Sequence, residues 1–128
     1  MQILLISLAG GIGALCRYLL GLKLTRQYLN ANIPVPMVVV NLLGSLGLGV
    51  FYGLYFNLIP IHPYNDLPFL IIGVGFFGAF TTFSTFSMEA VELFRKKAYK
   101  ETVIYIAVTI IGSIIVLCIG YGFGMIIV

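Results

Sequence analysis

Four apolar runs of membrane-spanning length restrict what this chain can fold into: residues 33–59, 67–88 and 102–128 carry no charge, and residues 3–22 carry only Arg17. Each reaches the ~20 residues that a helix needs to cross the hydrocarbon core of a bilayer. Lipid offers no partner to backbone N–H and C=O groups, so a spanning run closes its hydrogen bonds within itself as a helix. Composition agrees, because 61% hydrophobic and 9% charged residues leave too few polar groups to cover a soluble surface. The expectation is an all-α membrane protein of four transmembrane helices, multi-pass in the cell membrane. It is a single domain over residues 1–128 with no room for a separate soluble one. The first run has no basic stretch before it and no small-x-small cleavage site, and it contains Arg17, so it is expected to stay as a helix rather than be removed as a leader.

The connections are set by charge and proline. Loop one is expected at 23–32 and loop two at 60–66, where Pro60 and Pro63, followed by Pro68, stop helices. The third connection, 89–101, mixes Glu89, Glu92 and Glu101 with Arg95, Lys96, Lys97 and Lys100, and should carry the third helix into water before the chain turns. Four spans put loops one and three on one side of the membrane. All six loop cations (Lys23, Arg26, Arg95, Lys96, Lys97 and Lys100) fall on those two loops, which the positive-inside rule places in the cytoplasm. The net charge of +3 therefore concerns orientation in the bilayer and implies no nucleic acid partner. Cys16 and Cys118 lie inside spans with no neighbouring His or carboxylate, which indicates neither a disulfide framework nor a metal site.

Residues 73–87, GVGFFGAFTTFSTFS, are the most informative stretch. Three glycines followed by five hydroxyl residues in seven positions make a poor continuous helix, and a break is expected between Gly78 and Thr82. Unwound backbone at membrane depth survives only where protein buries it or a polar cavity solvates it, and its freed carbonyls suit a cation. The same residues also fit a plainer reading, in which the glycines permit close packing and the hydroxyls bond back to their own helix.

Other polar features divide in the same way. Phe83 and Phe86, three apart, share a helix face, and ring edges carry the positive part of the aromatic quadrupole. Such edges can face an anion, and ordinary packing also accounts for the pair. Tyr105, Thr109 and Ser113 climb about 12 Å along one stripe of a helix at ~1.5 Å per residue. These hydroxyls can hand an anion along the stripe or bond a neighbouring helix, a contact worth only ~0.6 kcal/mol on average. Asn41, deep in the second run, carries an amide donor for an anion or for another helix. Arg17, with no carboxylate in the spans to meet it, either snorkels to the interface or attracts anions at an aqueous vestibule.

No Asp, Glu or His lies within any of the four runs, so the acidic relay of a proton-coupled exporter is missing. There is no nucleotide motif, no HExxH pattern and no nucleophile with an available base. Neither an enzyme nor an organic cofactor is expected.

Taken together, and in this order and spacing, GGIGALCRY at 10–18, VNLLGS at 40–45 and GAFTTFSTFS at 78–87 resemble the CrcB/Fluc fluoride channel family. The third motif is the most specific, and the resemblance covers essentially the whole chain. It implies an antiparallel dimer with two pores, passive export of fluoride, and a structural sodium ion on the dimer axis. It makes Asn41, Phe83, Phe86, Tyr105, Thr109 and Ser113 pore-lining, with Ser84 and Thr85 adding hydroxyls beside the pore. It makes the backbone carbonyls of Gly78 and Thr81 the sodium ligands, Arg17 the vestibule arginine, and Glu89 an acidic residue near the pore mouth. The partners it implies are fluoride, the lipid bilayer and a second antiparallel subunit, either another copy or an oppositely oriented paralogue. The one-sided placement of the six loop cations favours the paralogue. Two rivals share the size: a small exporter of cationic compounds, which should show an intramembrane acid, and a noncatalytic accessory subunit whose polar stripes only bind helices together.

Overall fold

The structure, a computed structural model, describes residues 1–56 and 63–127. All regular structure among the described residues is helical. Helix α1 is Gln2–Gln27 and α2 is Val35–Phe56; α3 starts in a wide π-helical winding, Phe69–Phe77, and ends in one α-helical turn, Gly78–Phe80. Helix α4, Phe83–Arg95, resumes the third span, and α5 is Tyr99–Ile127. The four spans, of 26, 22, 27 and 29 residues, are each long and apolar enough to cross a membrane. Their outer surface is aliphatic, with Ile3, Leu4, Leu8, Ile115, Ile119 and Ile126 all exposed, as a lipid-facing surface requires.

Apolar burial cannot hold such helices together, because lipid is as apolar as leucine; close packing through small residues does it instead. Helix α2 lies along α5, and α1 lies against α3. Gly49 and Gly53 of α2 face Gly120 and Gly124 of α5 so closely that a Cβ at Gly49 would overlap the Leu117 carbonyl oxygen and one at Gly53 that of Tyr121. On the other side of the bundle a Cβ at Gly13 would overlap the Phe76 carbonyl oxygen, so the α1 backbone rests on the π-wound backbone of α3. The larger side chains of the core are few: Val38, Val40, Phe69, Phe86 and Tyr105.

The third span breaks within the expected segment, but only at its last two positions. Gly78 is helical (φ −62°, ψ −35°), whereas Thr81 (ψ 159°) and Thr82 (φ −146°, ψ 122°) are extended. The π winding was not foreseen; there the Gly78 N–H reaches back to the carbonyls of both Gly73 and Gly75. The charged connections are shorter than expected. Residues 23–27 belong to α1, and the chain between α4 and α5 reduces to a turn at 96–98. That turn closes by Lys97 N–H donating to Phe94 O (3.0 Å) and Ala98 N–H to Leu93 O (3.1 Å), with Lys97 at φ 60°. This is the bonding pattern that terminates many helices, with lysine where glycine is usual. Within the expected second loop, residues 60–62 lie outside the described residues; Pro63–Asn65 forms a short 3-10 turn, and Tyr55 Oη donates to Asp66 Oδ1 (3.2 Å).

Candidate functional site

The break is held open by side chains. Thr81 closes the end of α3 on itself: its N–H and its Oγ1 both donate to the Phe77 carbonyl, at 3.0 and 2.9 Å. Thr82, one residue on, is extended and is the N-cap of α4. Asn41 bonds both of its backbone groups, since its Oδ1 accepts the Thr82 N–H (2.9 Å) and its Nδ2 donates to the Thr82 carbonyl (3.2 Å). Both residues are buried, so these bonds satisfy groups that lipid would leave bare. The Thr82 hydroxyl then caps α4 by accepting the Thr85 N–H (3.3 Å), and it also meets Ser84 Oγ (3.3 Å) and Thr85 Oγ1 (3.2 Å). Gly44, one turn along α2 from Asn41, leaves room for the methyl group of Thr81.

Beside the break lies a groove of about 410 Å³, open along one side. Of the residues proposed from sequence, it gathers Asn41, Gly78, Thr81, Phe83, Phe86, Thr109 and Ser113, with Gly44, Ser45, Thr82, Phe77 and Ile110 added. None of the lining residues is charged. The two phenyl rings differ sharply in setting: Phe86 is 7% exposed and Phe83 78%. Their centroids stand 5.8 Å apart.

Tyr105 does not line this groove. It is wholly buried with its ring 5.3 Å from that of Phe86, and its hydroxyl donates to Glu89 Oε2 at 2.7 Å. The Thr109 hydroxyl donates to its own helix at Tyr105 O (2.7 Å). Two members of the spaced stripe, Thr109 and Ser113, thus border the groove, and the third, Tyr105, is tied to Glu89. That acid, expected just beyond the span, instead turns its carboxylate onto the last helix. It also borders a recess of about 350 Å³ between α4 and the link from α1 to α2, with Glu92, Lys96, Tyr28 and Asn32. The Lys96–Glu92 pair there is exposed and adds little stability. Arg17 lies apart from the groove, in a recess of about 310 Å³ that it shares with Thr85, Thr25 and Met37. Ser84 is exposed at the start of α4.

Sequence reasoning named seven residues of the groove, and the ones it did not name include Thr82 and Gly44. Both left a signal. A threonine immediately before a resumed helix is a preferred N-cap, and a glycine three residues after Asn41 shares its helix face.

Residues 4–121 match the family described as "CrcB-like protein, Camphor Resistance (CrcB)". The chain is 46% identical to the fluoride-specific ion channel FluC 1 of Halalkalibacterium halodurans over 94% of its own length and 95% of that protein's. It is 40% identical to the fluoride-specific ion channel FluC of Phocaeicola vulgatus, over 97% and 95% of the two chains. Identity to the FluC 1 channel of Carboxydothermus hydrogenoformans is 37%, over 90% and 86%.

Proposed function

The chain belongs to the CrcB family, and from that premise we propose that it is a subunit of a passive, fluoride-selective channel of the cell membrane, a pore rather than an enzyme. The observation that carries the reading is the uncharged groove at the broken third span, lined by an amide, hydroxyls and phenyl rings. Fluoride holds its water tightly, so a pore must replace that water with donors of similar quality without trapping the ion. The amide of Asn41 uses one N–H on Thr82 and keeps the second for the groove. Ser113 continues the path along α5, Thr109 joins it when its hydroxyl turns from Tyr105 O to the anion, and the rings of Phe83 and Phe86 border it, where their edges can offer a positive rim. Tyr105 joins when its hydroxyl exchanges Glu89 for the anion, with Ser84 and Thr85 at the head of α4 and Arg17 drawing anions to the vestibule. The three relatives named above are fluoride-specific channels, which favours this reading over the exporter and accessory-subunit ones.

A second subunit, antiparallel to the first, closes the open side of the groove. Phe83, Met88 and Val91 stand on α4 with 78%, 74% and 51% of their surface exposed, an apolar stripe that such a partner would cover. The partner is another copy or a paralogue. A sodium ion fits the break, where the carbonyls of Gly78 and Thr81 would hold it; when bound it supplies a fixed positive charge that ties the unwound backbone together. The N–H groups that would serve those two carbonyls in an unbroken α-helix belong to Thr82 and Thr85, and both donate elsewhere.

The test is anion efflux from liposomes containing the purified protein. Rapid loss of trapped fluoride, with potassium released only through an added ionophore, is the expected result. Fluoride retained as in protein-free vesicles would defeat the proposal.

A further inference from the structure

Asn41 and Thr82 divert hydrogen bonds in a pattern that the channel reading does not itself require. In an unbroken α-helix, each N–H donates to the carbonyl four residues back. The Thr82 N–H would serve Gly78, and the Thr85 N–H would serve Thr81. Here the Thr82 N–H goes to Asn41 Oδ1 and the Thr85 N–H to Thr82 Oγ1. The two diverted donors thus belong to the two carbonyls put forward above as sodium ligands, and among the described residues no other backbone N–H of this span donates to a side chain. Neither diverting group is free to leave. The Asn41 amide is pinned a second time through Nδ2 to the Thr82 carbonyl, and the Thr82 hydroxyl is packed among Ser84 and Thr85.

We infer that Asn41 and Thr82 are positioning residues for a monovalent cation: each releases one carbonyl, Asn41 that of Gly78 and Thr82 that of Thr81, by holding the N–H that would otherwise close the helix. The inference rests on the reading of the break as a sodium site and adds to it a division of labour. Gly44 completes the arrangement, because a Cβ there would overlap the methyl group of Thr81 and push the break off α2. An amide on α2 is thereby linked to the cation site through one hydrogen bond while facing the groove with its other N–H. Occupation of either site should then bias the other.

The readout is the backbone carbonyl carbon shift of Gly78 and Thr81 by solid-state NMR in lipid, with sodium titrated against N-methylglucamine. Wild type should respond to sodium at both carbonyls. Asn41→Leu should lose the Gly78 response or need about tenfold more sodium, the scale of one net hydrogen bond. Thr82→Val should do the same at Thr81, and Thr82→Ser, which keeps the capping hydroxyl, should restore it. Should Asn41→Leu fail to fold, the Thr82→Val and Thr82→Ser pair decides alone. An unchanged sodium response at both carbonyls in the variants overturns the inference. So does a wild type that conducts fluoride with no sodium response at either carbonyl, a result that leaves the channel reading standing.

Discussion

Helix α2 is used in two opposite ways. Toward α5 it presents Gly49 and Gly53, and the two backbones touch through glycine with no side chain between them. Toward the broken span it presents Asn41, Gly44 and Gly47, which meet side chains and extended backbone. The first face is a frame: backbone oxygen cannot swing aside, so the spacing of α2 and α5 is held. The second is a site, where groups on α3 and α4 can adjust and where polar atoms lie bare enough to meet an ion. A small channel needs both, because a groove with adaptable walls keeps its width only if one wall is fixed.

Alanine substitutions on the two faces should separate them. Gly53→Ala places a methyl group over the Tyr121 carbonyl, with the Gly124 Cα and Met125 N each 2.9 Å away. Relief requires whole helices to part, so the expected loss is about 3 kcal/mol or more. Reversible unfolding in mixed detergent and denaturant should show it, along with loss of monodisperse protein. Gly47→Ala meets only the tip of the Phe77 ring, at 2.6 and 2.7 Å, which can rotate away. About 1 kcal/mol is expected there. Equal losses at the two positions would break the distinction between frame and site.

A smaller effect, of opposite sign, belongs to neither face. Lys97 holds a left-handed conformation in the turn before α5, a geometry costing a side-chain-bearing residue about 1 kcal/mol. Lys97→Gly should gain about that much in the same unfolding measurement while leaving fluoride flux unchanged, and a flux change would extend the site to the charged end of α4.

Most of this arrangement could be seen in the sequence, for reasons that particular residues make plain. Four spans follow from apolar length alone, and the break in the third follows from glycine and hydroxyl residues crowded into 73–87. Asn41, Phe83, Phe86, Thr109 and Ser113 were expected on chemistry and resemblance, and the fold brings them to one groove. What sequence did not show depends on contacts between spans. The π winding of α3 arises where Gly13 of α1 lets two backbones meet, which no local pattern reports. Glu89 looked like a residue of the water-exposed connection, yet Tyr105, sixteen residues away, turns it inward. Asn41 could be seen to need partners, but not that both its bonds would fall on Thr82, forty-one residues on.

The central claim is that the uncharged groove beside the break conducts fluoride and little else, and its most direct test is a bi-ionic reversal potential. Purified protein in a planar bilayer would separate sodium fluoride on one side from sodium chloride on the other. The account predicts a reversal potential set by fluoride alone, because neutral donors in a narrow groove replace the water of the smaller anion better than that of the larger. A reversal potential near zero, meaning comparable fluoride and chloride permeability, would contradict it.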